Sequence, residues 1–257
     1  MISPPFFRGL RCAIIFLTRI PVGGDGYRDE DWRWSTGWFP IVGLLIGLLL
    51  ASIWWICTPA LTPWVVASLA LGISQLITGG FHEDGLADTA DALGGAYTTD
   101  KILIILKDSR VGAFGAMALF CVLLLRSALW VELADNIVVS ILLGQCLSRV
   151  VPIWLMVSLP YVTRTEAAKS RLVTKAQRPQ VMWATLCGGA ALTLSLQYNL
   201  ITELQALYIF SAMLFSYGLC YWRFKSRLGG ITGDFLGASQ QISECAILIG
   251  LAWNSTL

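Results

Sequence analysis

Charge is what this sequence has least of. Only 13% of its 257 residues are Asp, Glu, Lys or Arg, against about 25% in an ordinary soluble domain. Histidine occurs once, and the seven cysteines stand singly with no C-x-x-C pair. A net charge of +2 excludes a basic nucleic-acid binder. Unpaired cysteines exclude a zinc module and a disulfide-stapled secreted domain, so they read as small packing residues. A 56% hydrophobic content excludes a disordered chain. No repeat, low-complexity tract or linker divides the sequence, so 1–257 reads as one integral membrane domain.

What is present is long apolar runs. A helix needs about 20 mostly apolar residues to cross the hydrocarbon core. Seven runs meet or approach this: 38–57, 64–81, 111–130, 137–159, 181–198, 204–222 and 235–253. The alternating ten-residue segments of a membrane barrel are not seen. The expected fold is therefore an all-α polytopic membrane bundle of about seven transmembrane helices. Residues 6–20 read as an additional N-terminal helix lying on the membrane, with Arg8, Arg11 and Arg19 on one face. A short span or re-entrant segment is the alternative. The run after Arg11 is too short for a cleavable signal.

The basic residues orient this bundle. Sixteen of the 18 Lys and Arg fall in 1–37, 82–110, 160–180 and 223–234, and none in 58–63, 131–136, 199–203 or 254–257. The basic and neutral segments alternate, which places the N-terminus and the basic loops in the cytoplasm.

Four of the 16 acids lie within nine residues, in His82-Glu83-Asp84-Gly85-Leu86-Ala87-Asp88-Thr89-Ala90-Asp91. Asp84, Asp88 and Asp91 are spaced i, i+4, i+7 and share one helical face. Such carboxylates repel one another unless a cation sits among them, and hard oxygen ligands suit Mg²⁺ or Mn²⁺ with phosphate oxygens completing the sphere. Glu83 points off that face and is a weaker metal candidate. A solvated acidic first turn is the plain alternative. His82 can move a proton or act as a hydrogen-bonding neighbour.

Two further charged knots follow. In Lys107-Asp108-Ser109-Arg110, the two cations could hold phosphate, and Asp108 could complete the metal site or act as base. In Gly229-to-Gly237, Thr232 or Asp234 could cap the last helix, and Asp234 could equally be a ligand. Glu244 lies roughly 15 Å into the last span, where an ionisable group is costly. Arg149, near the middle of its span, could pair with Glu244 or line a cavity for an anion. Arg126, nearer a span end, is expected to snorkel to the interface.

Four segments carry a resemblance: Phe16-Leu17-Thr18-Arg19-Ile20-Pro21, His82-to-Asp91, Lys107-Asp108-Ser109-Arg110 and Gly229-to-Gly237. Together they closely resemble the cobalamin synthase family, the adenosylcobinamide-GDP ribazoletransferases. The resemblance implies joining of adenosylcobinamide-GDP to α-ribazole, or its 5′-phosphate, with release of GMP and a need for Mg²⁺. It implies Glu83, Asp84, Asp88 and Asp91 at metal and diphosphate, with Asp91 or Asp108 as base. Lys107, Arg110 and Arg149 would neutralise phosphate charge, and His82, Arg19, Asp234 and Glu244 would join substrate binding. In the family the Glu83 position can be apolar and the Ala92 position is often Gly. The implied setting is the bacterial inner membrane with a cytoplasmic active site. The implied partners are the lipid bilayer, a second copy of the chain and other corrinoid-assembly enzymes. A CDP-alcohol phosphotransferase is a nearby alternative, but no Arg follows Asp84-Gly85-Leu86-Ala87-Asp88 as that pattern requires. An Asp-rich prenyltransferase would carry two acidic motifs, and a transporter would place its charges near the midplane.

Overall fold

The structure is a computed structural model that describes residues 4–23, 26–162 and 176–253. Most of the basic loop 160–180 lies outside the described residues. Among them the secondary structure is helical, and the one β-bridge joins Tyr161 to Ile231. The helices are α1 (Pro5–Leu17), α2 (Asp29–Ser35), α3 (Phe39–Cys57), α4 (Pro63–Thr78), α5 (Phe81–Gly95) and α6 (Thr99–Ile105). They continue as α7 (Ala113–Glu132), α8 (Ile137–Leu147), α9 (Val150–Ser158), α10 (Arg178–Gln197), α11 (Glu203–Leu228) and α12 (Gly233–Ala252).

All seven apolar runs are helical, but they are not equal. Five helical stretches are long and apolar enough to cross a membrane: Asp29–Cys57, Ala113–Glu132, Ala134–Ser158, Glu203–Leu228 and Gly233–Ala252. The 64–81 run becomes α4, which qualifies only together with α5 across a 92° bend. The 181–198 run becomes the 20-residue α10, which is not among those that qualify. Its Gln180, Thr185, Thr193, Ser195 and Gln197 dilute its apolar character. The clear spans thus number five, or six with the bent pair, rather than seven.

The helices sort by what they face. On α7 and α11, Phe120, Leu124, Phe210, Phe215 and Trp222 are exposed, as suits a lipid-facing surface. α8, α9 and α12 are largely buried and form the centre. α12 carries its polar residues into that centre: Gln240, Gln241, Ser243 and Glu244 are all buried.

The N-terminal arginines do not form one free basic face. Gly9 lets α1 pack against Trp34 of the α2 segment, and Arg8 turns inward to the fully buried Asp31 at 3.1 Å. Arg11 and Arg19 stay exposed.

A charged network joins the central helices. Arg126 of α7 pairs with Glu83 of α5 at 3.2 Å and with Glu244 of α12 at 2.8 Å. Arg126 also donates to Gln241 Oε1 at 3.0 Å, and Gln241 donates to Glu83 at 3.2 Å. Glu244 further accepts from Gln145 of α8 at 2.7 Å and from Gln240 at 2.8 Å. This corrects two expectations. Arg126 is 1% exposed and does not snorkel, because two carboxylates reach it inside the bundle. Arg149 does not ion-pair with Glu244; its Nη1 donates to the carbonyl and side-chain oxygens of Gln145 at 2.6 and 2.9 Å.

Removing one partner of a buried ion pair leaves the other charge stranded, at a cost of about 3–5 kcal/mol. Arg126→Met is therefore expected to lower the unfolding free energy by that order in detergent, measured by thermal or denaturant unfolding. A midpoint equal to wild type would show that the network does not hold the bundle.

Candidate active site where α5 meets α12

The site begins at a turn. Gly79 and Gly80 both take positive φ, +74° and +68°, which ends α4 and redirects the chain into α5. The Arg19 backbone N–H donates to Ile77 O at 2.7 Å, and its guanidinium packs on Gly79 so closely that a Cβ there would collide with it. The Thr18-Arg19 segment thus buttresses the elbow that aims α5.

α5 and α12 then cross backbone to backbone. A Cβ on Gly85 would lie 2.8 Å from Asp234 O, and one on Gly237 would lie 3.3 Å from His82 O. The crossing brings the first turns of both helices together, and both turns carry acids. Thr232 is the cap of α12: its Oγ1 accepts from Phe235 N–H at 3.2 Å. That leaves the Asp234 carboxylate facing a cavity, with a 3.4 Å hydrogen bond from the Thr232 hydroxyl.

This cavity, of about 140 Å³, has two characters. At its outer end stand Asp84, which is exposed, and Asp234, which is half-buried. At its inner end stand His82, Arg149 and Gln240, all buried. Between them the wall is apolar, built from Phe16, Leu17, Phe39, Phe81, Pro152 and Met156.

The four acids of the 83–91 run divide into three roles. Among the described residues no Lys or Arg pairs with Asp84 or with the half-buried Asp88. α5 lies outside the five clear spans, and there burial and the neighbouring charges of Asp84, Asp234 and Asp91 push the Asp88 carboxyl up to about 6. Such crowding is what a bound cation would relieve. Glu83 instead gives its Oε1 to Arg126 and Gln241 inside the bundle, while its Oε2 is buried without a hydrogen-bond partner.

Asp91 is also placed otherwise than its spacing suggests. It accepts from the backbone N–H groups of Gly112 at 2.7 Å and Gly115 at 2.8 Å, at the start of α7. The helix start offers unpaired N–H groups, and a carboxylate there is well matched. A Cβ on either glycine would collide with this carboxylate, and that Gly-x-x-Gly is the signal the sequence reading passed over. Asp91 therefore ties α5 to α7, with each of its oxygens holding one backbone N–H, and it is not among the residues that line the cavity.

The Lys107-to-Arg110 knot lies apart from the cavity lining. Arg110 holds Asp108 with a 2.6 Å ion pair at the surface, which keeps that carboxyl down at about 2 and makes it a poor proton acceptor. Lys107 is exposed. Sequence reasoning also missed Gln145 and Ser148; polar residues inside apolar runs are the mark that would have found them.

Among the described residues no three His, Cys, Asp or Glu side chains form a ready-made metal cage. Mg²⁺ does not require one: it is commonly bound by one or two carboxylates plus substrate phosphates. The donor set of Asp84 and Asp88, beside Asp234, fits that pattern.

The sequence matches the family model described as Cobalamin-5-phosphate synthase over residues 9–252. A protein of a Polaromonas species, named adenosylcobinamide-GDP ribazoletransferase, is 39% identical, with 96% of this chain and 97% of that one covered. Proteins with the same name from Shewanella pealeana and Shewanella frigidimarina are 38% and 39% identical, over 94% and 93% of this chain and 95% and 92% of theirs. No solved structure matches. Model and relatives alike span nearly the whole chain, so it is a transferase and belongs to the cobalamin-5-phosphate synthase family.

Proposed function

We propose that the chain joins adenosylcobinamide-GDP to α-ribazole, or to α-ribazole 5′-phosphate, and releases GMP in a Mg²⁺-dependent reaction. The observation that carries this reading is that the α5–α12 crossing places Asp84 and Asp234 in the lining of one cavity, with Asp88 close enough to feel both charges. The names of the relatives supply the substrate.

The acceptor is the ribose 3′-hydroxyl. Its oxygen forms a bond to the phosphorus attached to cobinamide, and the bond from that phosphorus to the GMP oxygen breaks. The hydroxyl proton passes to a base, and GMP departs with the bonding electron pair. Transfer of this kind depends mainly on positioning and on neutralising charge. Asp84 and Asp88 would hold Mg²⁺, which supplies neutralisation of the diphosphate and of the leaving group. With Asp91 and Asp108 both committed elsewhere, Asp234 is the carboxylate placed to accept the proton.

Orientation belongs to the same proposal. The basic segments face the cytoplasm of a bacterial inner membrane, which puts the acids of α5 on that side. At 20 residues α10 is about 30 Å long and reaches across. The neutral connections after α3, α7 and α10 then lie outside. A second copy of the chain and other corrinoid-assembly enzymes remain the partners proposed.

Protein purified in detergent should convert adenosylcobinamide-GDP and α-ribazole to a cobamide with stoichiometric GMP, and EDTA should stop it. Asp84→Asn and Asp88→Asn should each lower kcat by about 10²-fold or more; full activity in either would remove the metal assignment. Asp234→Asn should lose about 10²–10⁴-fold in kcat with its KM values little changed. An impermeant thiol reagent added to intact cells should reach Ala134→Cys but not Ala90→Cys, and the reverse pattern would invert the orientation.

A further inference from the structure

The inner end of the cavity contains a cation, Arg149, that feels the charge of Glu244 but is bonded by no carboxylate among the described residues. It is 3% exposed. Glu83 and Glu244 are both drawn to Arg126. Arg149 receives only neutral acceptors, the two oxygens of Gln145, and its Nε is buried with no partner. A guanidinium this deep in an apolar bundle, fixed on one side and unpartnered on the other, is a prepared anion site.

The surrounding wall indicates what the anion is attached to. Phe16 stacks with Phe39 at 5.8 Å and 6° between planes, and meets Phe81 edge-on at 5.4 Å. All three line the cavity, and Met156 and Pro152 line it too. A flat apolar ring system finds stacking and edge contacts there. An aromatic wall ending in a buried arginine suits an aromatic nucleoside that carries a phosphate monoester. The diphosphate of a nucleotide donor is better served outside, at the exposed Asp84, where water and a metal ion have access.

We propose that this cavity is the acceptor subsite: the aromatic base lies against Phe16, Phe39 and Phe81, and the 5′-phosphate of the nucleoside binds the guanidinium of Arg149. The proposal rests on the transferase reading above and adds that Arg149 distinguishes phosphorylated from unphosphorylated acceptor. Gln145 acts as a positioning residue, because its two oxygens hold Nη1 and so fix the guanidinium where Arg149 lines the cavity.

The test is a ratio. Protein in detergent is assayed with α-ribazole 5′-phosphate and with α-ribazole, and kcat/KM is compared. Wild type should favour the phosphate about tenfold or more, and Arg149→Met should shrink that preference at least about tenfold, the usual worth of a hydrogen bond to a charged group. Arg149→Lys keeps the buried charge and guards against misfolding; it should retain part of the preference. An equal fall for both acceptors, with the ratio unchanged, would make Arg149 structural and overturn the proposal. A rise in KM for adenosylcobinamide-GDP alone would assign Arg149 to the donor and overturn it as well. If wild type makes no cobamide from either acceptor, the transferase reading fails on its own. Calorimetric binding then decides the subsite: tighter binding of α-ribazole 5′-phosphate than of α-ribazole, lost in Arg149→Met, supports it, and equal binding of the two refutes it.

Discussion

The interaction on which the rest of this structure depends is the capture of Arg126 by Glu83 and Glu244. Ionised groups inside an apolar bundle are tolerated only when paired and hydrogen-bonded. Here the pairing joins three helices, α5, α7 and α12, and the glutamines extend it to α8. Because each partner is held at 2.7–3.2 Å, a slip of one helix by a turn would break several contacts together. The network thereby fixes register where apolar packing alone would permit sliding. It also fixes rotation. With Glu83 turned into the core, its neighbour Asp84 must emerge on the cavity side, and Asp88 follows one turn later.

The same constraint explains which parts of the site were readable in the sequence. That the 83–91 run is a helix, that Asp84 and Asp88 share a face, and that Glu83 lies off that face all follow from 3.6 residues per turn. The placing of Asp91 does not. A helical wheel puts it on the Asp84 face, but seven residues carry it about 10 Å along the axis. There the opposing surface is no longer the cavity but the start of α7, where Gly112 and Gly115 present backbone N–H groups. Angular position is a local property; what a residue faces is a tertiary one.

The two intramembrane arginines show the same limit. By position along its span Arg126 is the residue nearer water, and Arg149 the one expected either to meet Glu244 or to line a cavity. The fold exchanges these roles, because the Arg126 side chain reaches both Glu83 and Glu244 from α7 whereas Arg149 sits at the break between α8 and α9 and lines the cavity. Distance from a span end says how far a side chain must reach to find water. It does not say whether two carboxylates have come closer than the water. The membrane class was legible for the opposite reason: apolar run length needs no knowledge of partners, and every run identified is a helix. The weak member is α10, where scattered Gln, Thr and Ser make composition, not length, the shortfall.

The exchange has a chemical consequence. Two buried arginines and two buried glutamates balance in number, but the balance is not local. Both carboxylates bond Arg126, so Arg149, on the side of the cavity, feels Glu244 only through space. On the outer side the reverse holds: Asp84 and Asp234 in the lining and Asp88 beside them crowd together with no Lys or Arg in ion-pair contact among the described residues, and Asp88 takes up protons more readily as a result. One cavity therefore has an excess of negative charge outside and of positive charge inside. A single ion relieves only one end. On the function proposed, a metal-carried diphosphate at the mouth together with an anionic acceptor inside would relieve both, and would bring the two reacting molecules into one cavity with their charged groups held apart.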